Sequence, residues 1–196
     1  MKIEKYIDHT LLKPTATKEE IIKLCEEAIE YNFYAVCVNS CYIPLVAKML
    51  EKTDIKIAAV VGFPLGAMAS ETKEAEAAYC LEHGADEIDV VMNLGWLKSG
   101  QRQKVLDELG QLKKSIGKKV LKVIIETCYL DKKEIVIATN IVLESGADFV
   151  KTSTGFGSGG ATFKDVALMK RIVGEKIRIK ASGGVRDRET AIKYID

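Results

Sequence analysis

Histidine is nearly absent from this chain, and what little there is cannot build a metal centre. The two histidines, His9 and His83, stand far from each other and from any paired thiols. A zinc site of the histidine–cysteine kind therefore has no ligand set, and no metal is expected. Cysteine occurs five times but never as CxxC, the nearest approach being Cys37 and Cys41. An odd number without framework spacing reads as reduced thiols in a cytoplasmic protein. An excess of one charge is also missing. Lysine and arginine number 29 against 28 aspartates and glutamates, for a formal net charge of +1, which argues against a nucleic-acid or polyanion binder. No apolar run approaches the roughly eighteen residues of a membrane span. The N-terminal stretch Met1-Lys2-Ile3-Glu4-Lys5-Tyr6 lacks the apolar core of a signal peptide.

What is present is alternation. With 47% hydrophobic and 29% charged residues in 196, the chain has the length and composition of one globular domain spanning 1–196. Apolar runs of strand length recur at 6–12, 34–39, 55–61, 87–93 and 120–127, then in the run that bears Lys151 and at 177–180. Amphipathic stretches lie between them. Thr17-Lys18-Glu19-Glu20 has capping-box spacing, Asp131-Lys132-Lys133-Glu134 repeats it, and Thr162 opens another helix. One long helical stretch runs from about Trp96 to Ile116, with an interruption near Gly110. The joint Glu82-His83-Gly84-Ala85-Asp86 recurs as Glu144-Ser145-Gly146-Ala147-Asp148, each a helix end, a glycine stop and a turn into a strand. Strands apolar on both faces and alternating with helices predict a parallel sheet covered by helices. Seven such units nearly complete a (β/α)₈, or TIM, barrel, with the eighth strand missing and the seventh helix cut off at Asp196. The chain accordingly reads as truncated. A barrel ending there leaves strands seven and one with unpaired edges, so poor solubility or damaged activity is expected.

In such barrels the site lies at the C-terminal strand ends. There Asp148-Phe149-Val150-Lys151-Thr152-Ser153-Thr154-Gly155-Phe156 carries a lysine into a glycine turn, and Ile179-Lys180-Ala181-Ser182-Gly183-Gly184 repeats the design. Lysine is seldom buried unless paired. Asp89, inside Glu87-Ile88-Asp89-Val90-Val91, is as costly to bury, so the economical arrangement pairs Asp89 and Asp8 with Lys151 and Lys180 in one cavity. Lys122 and Glu126, four residues apart on one strand, read instead as a buried ion network that fixes barrel geometry. Two ammonium groups about 5 Å apart at an effective dielectric of about 20 repel by ~3 kcal/mol, or ~2 pKa units. A lysine lowered in this way can attack a carbonyl as the free amine, and a carboxylate such as Asp89 can move the protons. That is Schiff-base aldolase chemistry, with no cofactor. Gly155, Gly157, Gly159 and Gly160 after strand six, with Gly183 and Gly184 after strand seven, offer backbone N–H groups to a phosphate.

At these residues the chain resembles the deoxyribose-phosphate aldolase family. The resemblance is carried by Ile7-Asp8-His9-Thr10-Leu11-Leu12, Glu87-Ile88-Asp89-Val90-Val91-Met92-Asn93, Val123-Ile124-Ile125-Glu126-Thr127 and the two lysine-bearing motifs, in order from residue 6 to the chain end. It implies a cofactor-free lyase that cleaves 2-deoxy-D-ribose 5-phosphate reversibly to D-glyceraldehyde 3-phosphate and acetaldehyde in deoxynucleotide catabolism. Lys151 would be the Schiff-base lysine, Lys180 the neighbour that lowers its pKa, and Asp89 the proton donor and acceptor. Asp8, Cys37 and Thr152 would line the pocket, and Gly155, Gly183 and Gly184 would meet the phosphate. Phe156 stands where one branch of the family has a phosphate-holding lysine, which leaves phosphate affinity to backbone donors and Arg186. The expected partners are a phosphorylated sugar or aldehyde and, as often in the family, a second copy in a homodimer. Two other readings stay open. One is a Schiff-base aldolase for a different aldehyde pair, and the other is a silent or incomplete barrel that only binds a phosphorylated ligand.

Overall fold

Several helix starts in this protein are set by side chains that satisfy the free N–H groups of a first turn. In the computed structural model, which describes residues 2–195, Thr17 accepts from the Glu20 N–H while the Glu20 carboxylate accepts from the Thr17 N–H. Asp131 and Glu134 make the same exchange. The caps at Asn93 and Thr162 are one-sided, each side chain accepting from a first-turn N–H.

The elements run β1 (Asp8–Leu11), α1 (Lys18–Glu30), β2 (Ala35–Asn39), α2 (Ile43–Leu50), β3 (Lys56–Val61), α3 (Ser70–Glu82) and β4 (Glu87–Val91). After these come α4 (Leu94–Lys98), α5 (Arg102–Ile116), β5 (Val120–Ile124), α6 (Lys132–Glu144), β6 (Phe149–Lys151), α7 (Phe163–Val173), β7 (Arg178–Lys180) and α8 (Arg188–Ile195). All seven strands are parallel and pair in sequence order, with β1 and β7 at the two ends of the sheet. This is the barrel architecture expected from the strand–helix alternation, with seven strands among the described residues. The point where the sequence ends the last helix, Asp196, lies outside them.

Two boundaries differ from the sequence reading. The stretch from Trp96 to Ile116 divides at 99–101 and not at Gly110, because Gly100 takes a left-handed φ of 72° there while Gly110 stays helical. The fifth strand stops at Ile124, since Glu126 adopts φ 47°, ψ 67° and turns the chain into a short 3-10 turn at Thr127–Tyr129. Glu126 and Lys122 therefore do not share a strand face.

Strand periodicity sorts the side chains into two environments. Val36, Val38, Ile57, Ala59, Val61, Ile88, Val90, Leu121, Val123 and Val150 face the helices and pack with Ile21, Leu24, Val105, Leu109, Ile135 and Ile141. On the alternate face, Leu12, Cys37, Ala58 and Val60 form a separate small cluster inside the barrel, and Glu87, Asp89, Lys122, Lys151 and Lys180 lie on that face of β4 to β7. No helix among the described residues is long and apolar enough to cross a membrane.

Among the described residues, one fully buried ion pair lies outside the barrel interior. Lys73 on α3 is fully buried and donates to Glu108 on α5 at 2.7 Å and to the Val91 carbonyl at 2.9 Å, while Ser70 donates to the other Glu108 oxygen. It ties two helices to the end of β4. Removing one partner of such a pair strands the other in the core at a cost of about 3–5 kcal/mol, whereas replacing both with apolar groups is often nearly neutral. Lys73→Met is therefore expected to lower unfolding free energy by about that amount, and the double variant Lys73→Met/Glu108→Leu to recover most of it, as read from urea midpoints.

Candidate active site

Parallel register brings the charged interior positions together. Asp89 on β4 lies opposite Lys122 on β5, and Lys151 on β6 lies between Ile124 on β5 and Lys180 on β7. Neighbouring strands in a sheet lie less than about 5 Å apart, so side chains on the same face reach one another. Lys151 Nζ donates to Asp89 Oδ2 at 2.6 Å, and Lys122 Nζ donates to Asp89 Oδ1 at 2.9 Å. Asp89 is thus held on both oxygens by two lysines from successive strands. Lys180 Nζ lies 2.8 Å from Asp8 Oδ1 and donates to the Tyr6 carbonyl at 3.3 Å. Lys122 also lies 3.4 Å from Asp8 and 2.5 Å from Glu87, whose other oxygen accepts from the Tyr34 hydroxyl at 2.7 Å.

The two acids and two lysines expected together from sequence do meet, and the structure sorts them into Asp89 with Lys151 and Asp8 with Lys180. Lys122 is in a buried ion network, as expected from sequence, but with Asp8, Glu87 and Asp89 and not with Glu126. It sits at the centre of the network, touching three carboxylates, and is only 1% exposed. Glu87 was not singled out at all. The available signal was its place two residues before Asp89, which puts both on the interior face of one strand.

Burial alone would push the Asp89 carboxyl up, but Lys122 and Lys151 beside it bring it down to about 2. Asp8 follows the same logic, its burial outweighed by Lys122 and Lys180, so it lies below its usual range. Lys122 is pushed down by burial and carried well above its ordinary range by Asp89, Asp8 and Glu87. For Lys151, burial lowers the ammonium and Asp89 and Cys37 raise it; the net direction is upward. This corrects the lowered lysine expected from sequence. The like charge that acts against the ammonium is Lys122, while Lys180 spends its charge on Asp8. Cys37, fully buried in the interior cluster, has its thiol pushed up to about 11 by burial.

The loops after β6 and β7 interlock above these lysines. Thr152 is fully buried, its hydroxyl donating to the Ser182 carbonyl and accepting from the Ser182 N–H. Ser182 Oγ donates to the Ser153 carbonyl and accepts from the Ser153 N–H. A Cβ at Gly160 would lie 2.2 Å from the Gly183 carbonyl oxygen, so only glycine permits that approach. Gly155, Gly183 and Gly184 have left-handed φ values of 84°, 78° and 81°, a backbone setting found where successive N–H groups form anion-binding concavities. Phe156, half exposed, packs edge-on against Phe63 with ring centroids 5.3 Å apart.

The sequence profile of the DeoC/LacD family aldolases matches residues 2–194. A deoxyribose-phosphate aldolase from Caldanaerobacter subterraneus subsp. tengcongensis is 55% identical over 199 residues, spanning 100% of this chain and 86% of the relative. Among solved structures, one described as "QR15, an Aldolase" superposes with a TM-score of 0.95 at 41% identity, covering 98% of this chain and 86% of its own. A tetrameric deoxyribose phosphate aldolase from Aeropyrum pernix superposes with a TM-score of 0.89 at 35% identity, covering 98% of this chain and 82% of its own. A buried lysine paired with an interior aspartate at the strand ends, together with these matches along nearly the whole chain, means that the chain belongs to the DeoC/LacD family of aldolases.

Proposed function

We propose that this protein is a Schiff-base aldolase that cleaves 2-deoxy-D-ribose 5-phosphate reversibly to D-glyceraldehyde 3-phosphate and acetaldehyde. The observation that carries the reading is the Lys151–Asp89 contact at 2.6 Å, buried inside the barrel below two glycine loops. In the cleavage direction, the Lys151 amine adds to the aldehyde carbon of the open-chain sugar and water leaves, which forms a protonated imine. A base takes the proton from the hydroxyl on the β-carbon. The bond between the α- and β-carbons then breaks, the β-carbon departs as the aldehyde of glyceraldehyde 3-phosphate, and its electron pair moves toward the imine nitrogen as an enamine. Protonation of the enamine carbon and hydrolysis release acetaldehyde and restore Lys151.

Asp89 is assigned the proton transfers at Lys151, with Lys122 on its other oxygen and Lys180 held ready by Asp8. Cys37 forms part of the apolar wall. Thr152 positions the two loops through Ser182, and Gly155, Gly183 and Gly184 receive the phosphate with Arg186 exposed nearby in sequence. The reaction belongs in the reducing cytoplasm, where five free thiols persist. Exposed Ile29, Tyr31 and Tyr129 leave apolar surface for a second copy in a homodimer.

Borohydride reduction in the presence of acetaldehyde should leave one reduced two-carbon adduct, mapped by peptide mass to Lys151 and absent from Lys151→Ala. An adduct on another lysine would remove the assignment. The rate of trapping carries a second expectation. Because Lys151 is held as the ammonium above its usual range, its free-amine fraction near neutrality is small, and trapping should accelerate as pH rises from 7 toward 9. Asp89→Asn removes the charge that holds the proton and should move this profile to lower pH by about one unit or more. Aldol cleavage in that variant should fall by about 10²–10⁴-fold. Stability rises with pH as well, but in a lower window. Asp89 contributes above its ordinary 3.8, on the order of 2 kcal/mol, and that contribution is lost as pH falls toward about 2. Urea midpoints at pH 6 and pH 3 should therefore differ more in the wild type than in Asp89→Asn.

A further inference from the structure

Glu126 is a buried carboxylate that the aldol chemistry does not use. It is 2% exposed, and among the described residues no lysine, arginine or histidine nitrogen pairs with it. Its backbone is left-handed at φ 47°, a region that residues with side chains seldom adopt. Such an outlier points to a constraint imposed from elsewhere.

The constraint is the glycine loop after β6. The Thr154 N–H donates to both Glu126 oxygens at 3.2 Å, and the Thr154 hydroxyl donates to Oε2. The same hydroxyl accepts from the Phe156 N–H at 3.0 Å. Next along the chain, Thr127 donates its N–H to the Thr152 carbonyl at 2.9 Å. The contact continues beyond the hydrogen bonds. A Cβ at Gly157 would lie 2.6 Å from Cys128 Sγ and 3.3 Å from the Glu126 carboxyl carbon. The loop is therefore clamped between two supports, Ser182 from the β7 side and Glu126 from the β5 side. Only the second reaches the Thr154–Phe156 segment that contains Gly155.

We infer that Glu126 is a positioning residue that holds the Thr154–Gly157 loop in its anion-receiving shape, and so sets how strongly the protein favours a phosphorylated sugar over the same sugar without phosphate. A carboxylate suits this role because it only accepts. Both of its oxygens meet the Thr154 N–H, and one also meets the hydroxyl. An amide in its place would turn an N–H donor toward one of these donors and break part of the clamp. The inference rests on the aldolase reading above.

The test is steady-state cleavage of 2-deoxyribose 5-phosphate and of 2-deoxyribose by the full chain. Glu126→Gln and Thr154→Val should each raise KM for the phosphorylated sugar by about tenfold or more, with kcat changed by less than about threefold. The kcat/KM ratio between the two sugars should fall by the same factor. Thr154→Ser keeps both donors and should keep the wild-type ratio. A ratio in Glu126→Gln within about twofold of wild type overturns the inference. So does an equal loss toward both sugars, or loss of the Lys151 acetaldehyde adduct, since either would assign Glu126 to the frame as a whole. A wild-type protein that cleaves 2-deoxyribose without favouring its phosphate overturns both this inference and the phosphate assignment. Wild-type preference that the variants retain overturns this inference alone.

Discussion

Asp89 between two lysines is the contact on which the interior depends. A carboxylate with no exposure can remain ionised in an apolar barrel only if cations saturate it, and Lys122 and Lys151 do so on separate oxygens. Each lysine then needs its own balance. Lys122 obtains it from Asp8 and Glu87 as well, and Lys180 from Asp8. Three carboxylates and three ammonium groups thus neutralise one another, and none can be removed without leaving a partner charge in low dielectric. The arrangement also answers a chemical difficulty. In the proposed mechanism a raised Lys151 pKa works against forming the free amine, yet the protonated imine that would follow is a cation at nearly the same place. The carboxylate that stabilises the ammonium stabilises that intermediate too, and Lys122, competing for Asp89 from the other side, limits how tightly the ammonium is held.

The strands that carry these charges are stabilised by their other faces. Ile88 and Val90 flank Asp89 in sequence and pack against the helices, as Leu121 and Val123 flank Lys122. Because the side-chain period is two, every residue of β4 and β5 is committed either to the helix layer or to the interior. A slip of one residue would drive Asp89 and Lys122 into the apolar layer and the valines into the charged one. The hydrophobic pattern that folds the sheet therefore also sets the register of the site to one residue. The short strands β6 and β7 have less of this pattern, and their loops make up the difference through Thr152, Ser153, Ser182 and the glycine contact at Gly160 and Gly183.

Much of this was legible in the chain. The capping boxes at Thr17 and Asp131, the strand runs and the lysine-bearing motifs each combine a residue type with a spacing that has few physical readings. That Asp89 and Asp8 meet Lys151 and Lys180 followed from the cost of burying each alone; which acid meets which lysine did not. The buried ion network of Lys122 was legible but its partners were not, because a lysine inside a strand has the same local pattern whichever acids it meets; only the three-dimensional register brings it to Asp8, Glu87 and Asp89. Glu126 failed for a different reason. Its left-handed φ has no marker in Ile124-Ile125-Glu126-Thr127, since non-glycine residues enter that region when tertiary contacts force them. The direction of the Lys151 shift was also out of reach, because it depends on a distance of 2.6 Å to Asp89 outweighing both burial and a neighbouring ammonium.

The Asp8–Lys180 contact joins the two ends of the sheet. In the order of strands, β1 and β7 are as far apart as two strands can be, yet a side chain from each meets the other at 2.8 Å. That is possible only if the sheet curls until its first and last members face one another. Lys180 adds a second link by donating to the Tyr6 carbonyl ahead of β1. The ion pair is therefore a clasp as well as a member of the charge network. It is less buried than its counterpart, with the Lys180 side chain 20% exposed against 8% for Lys151. A clasp at the wetter edge and a pair in the dry interior are suited to different tasks. The first can exchange protons with solvent, whereas in the proposed mechanism the second would keep water from the imine until its carbon–carbon bond has broken.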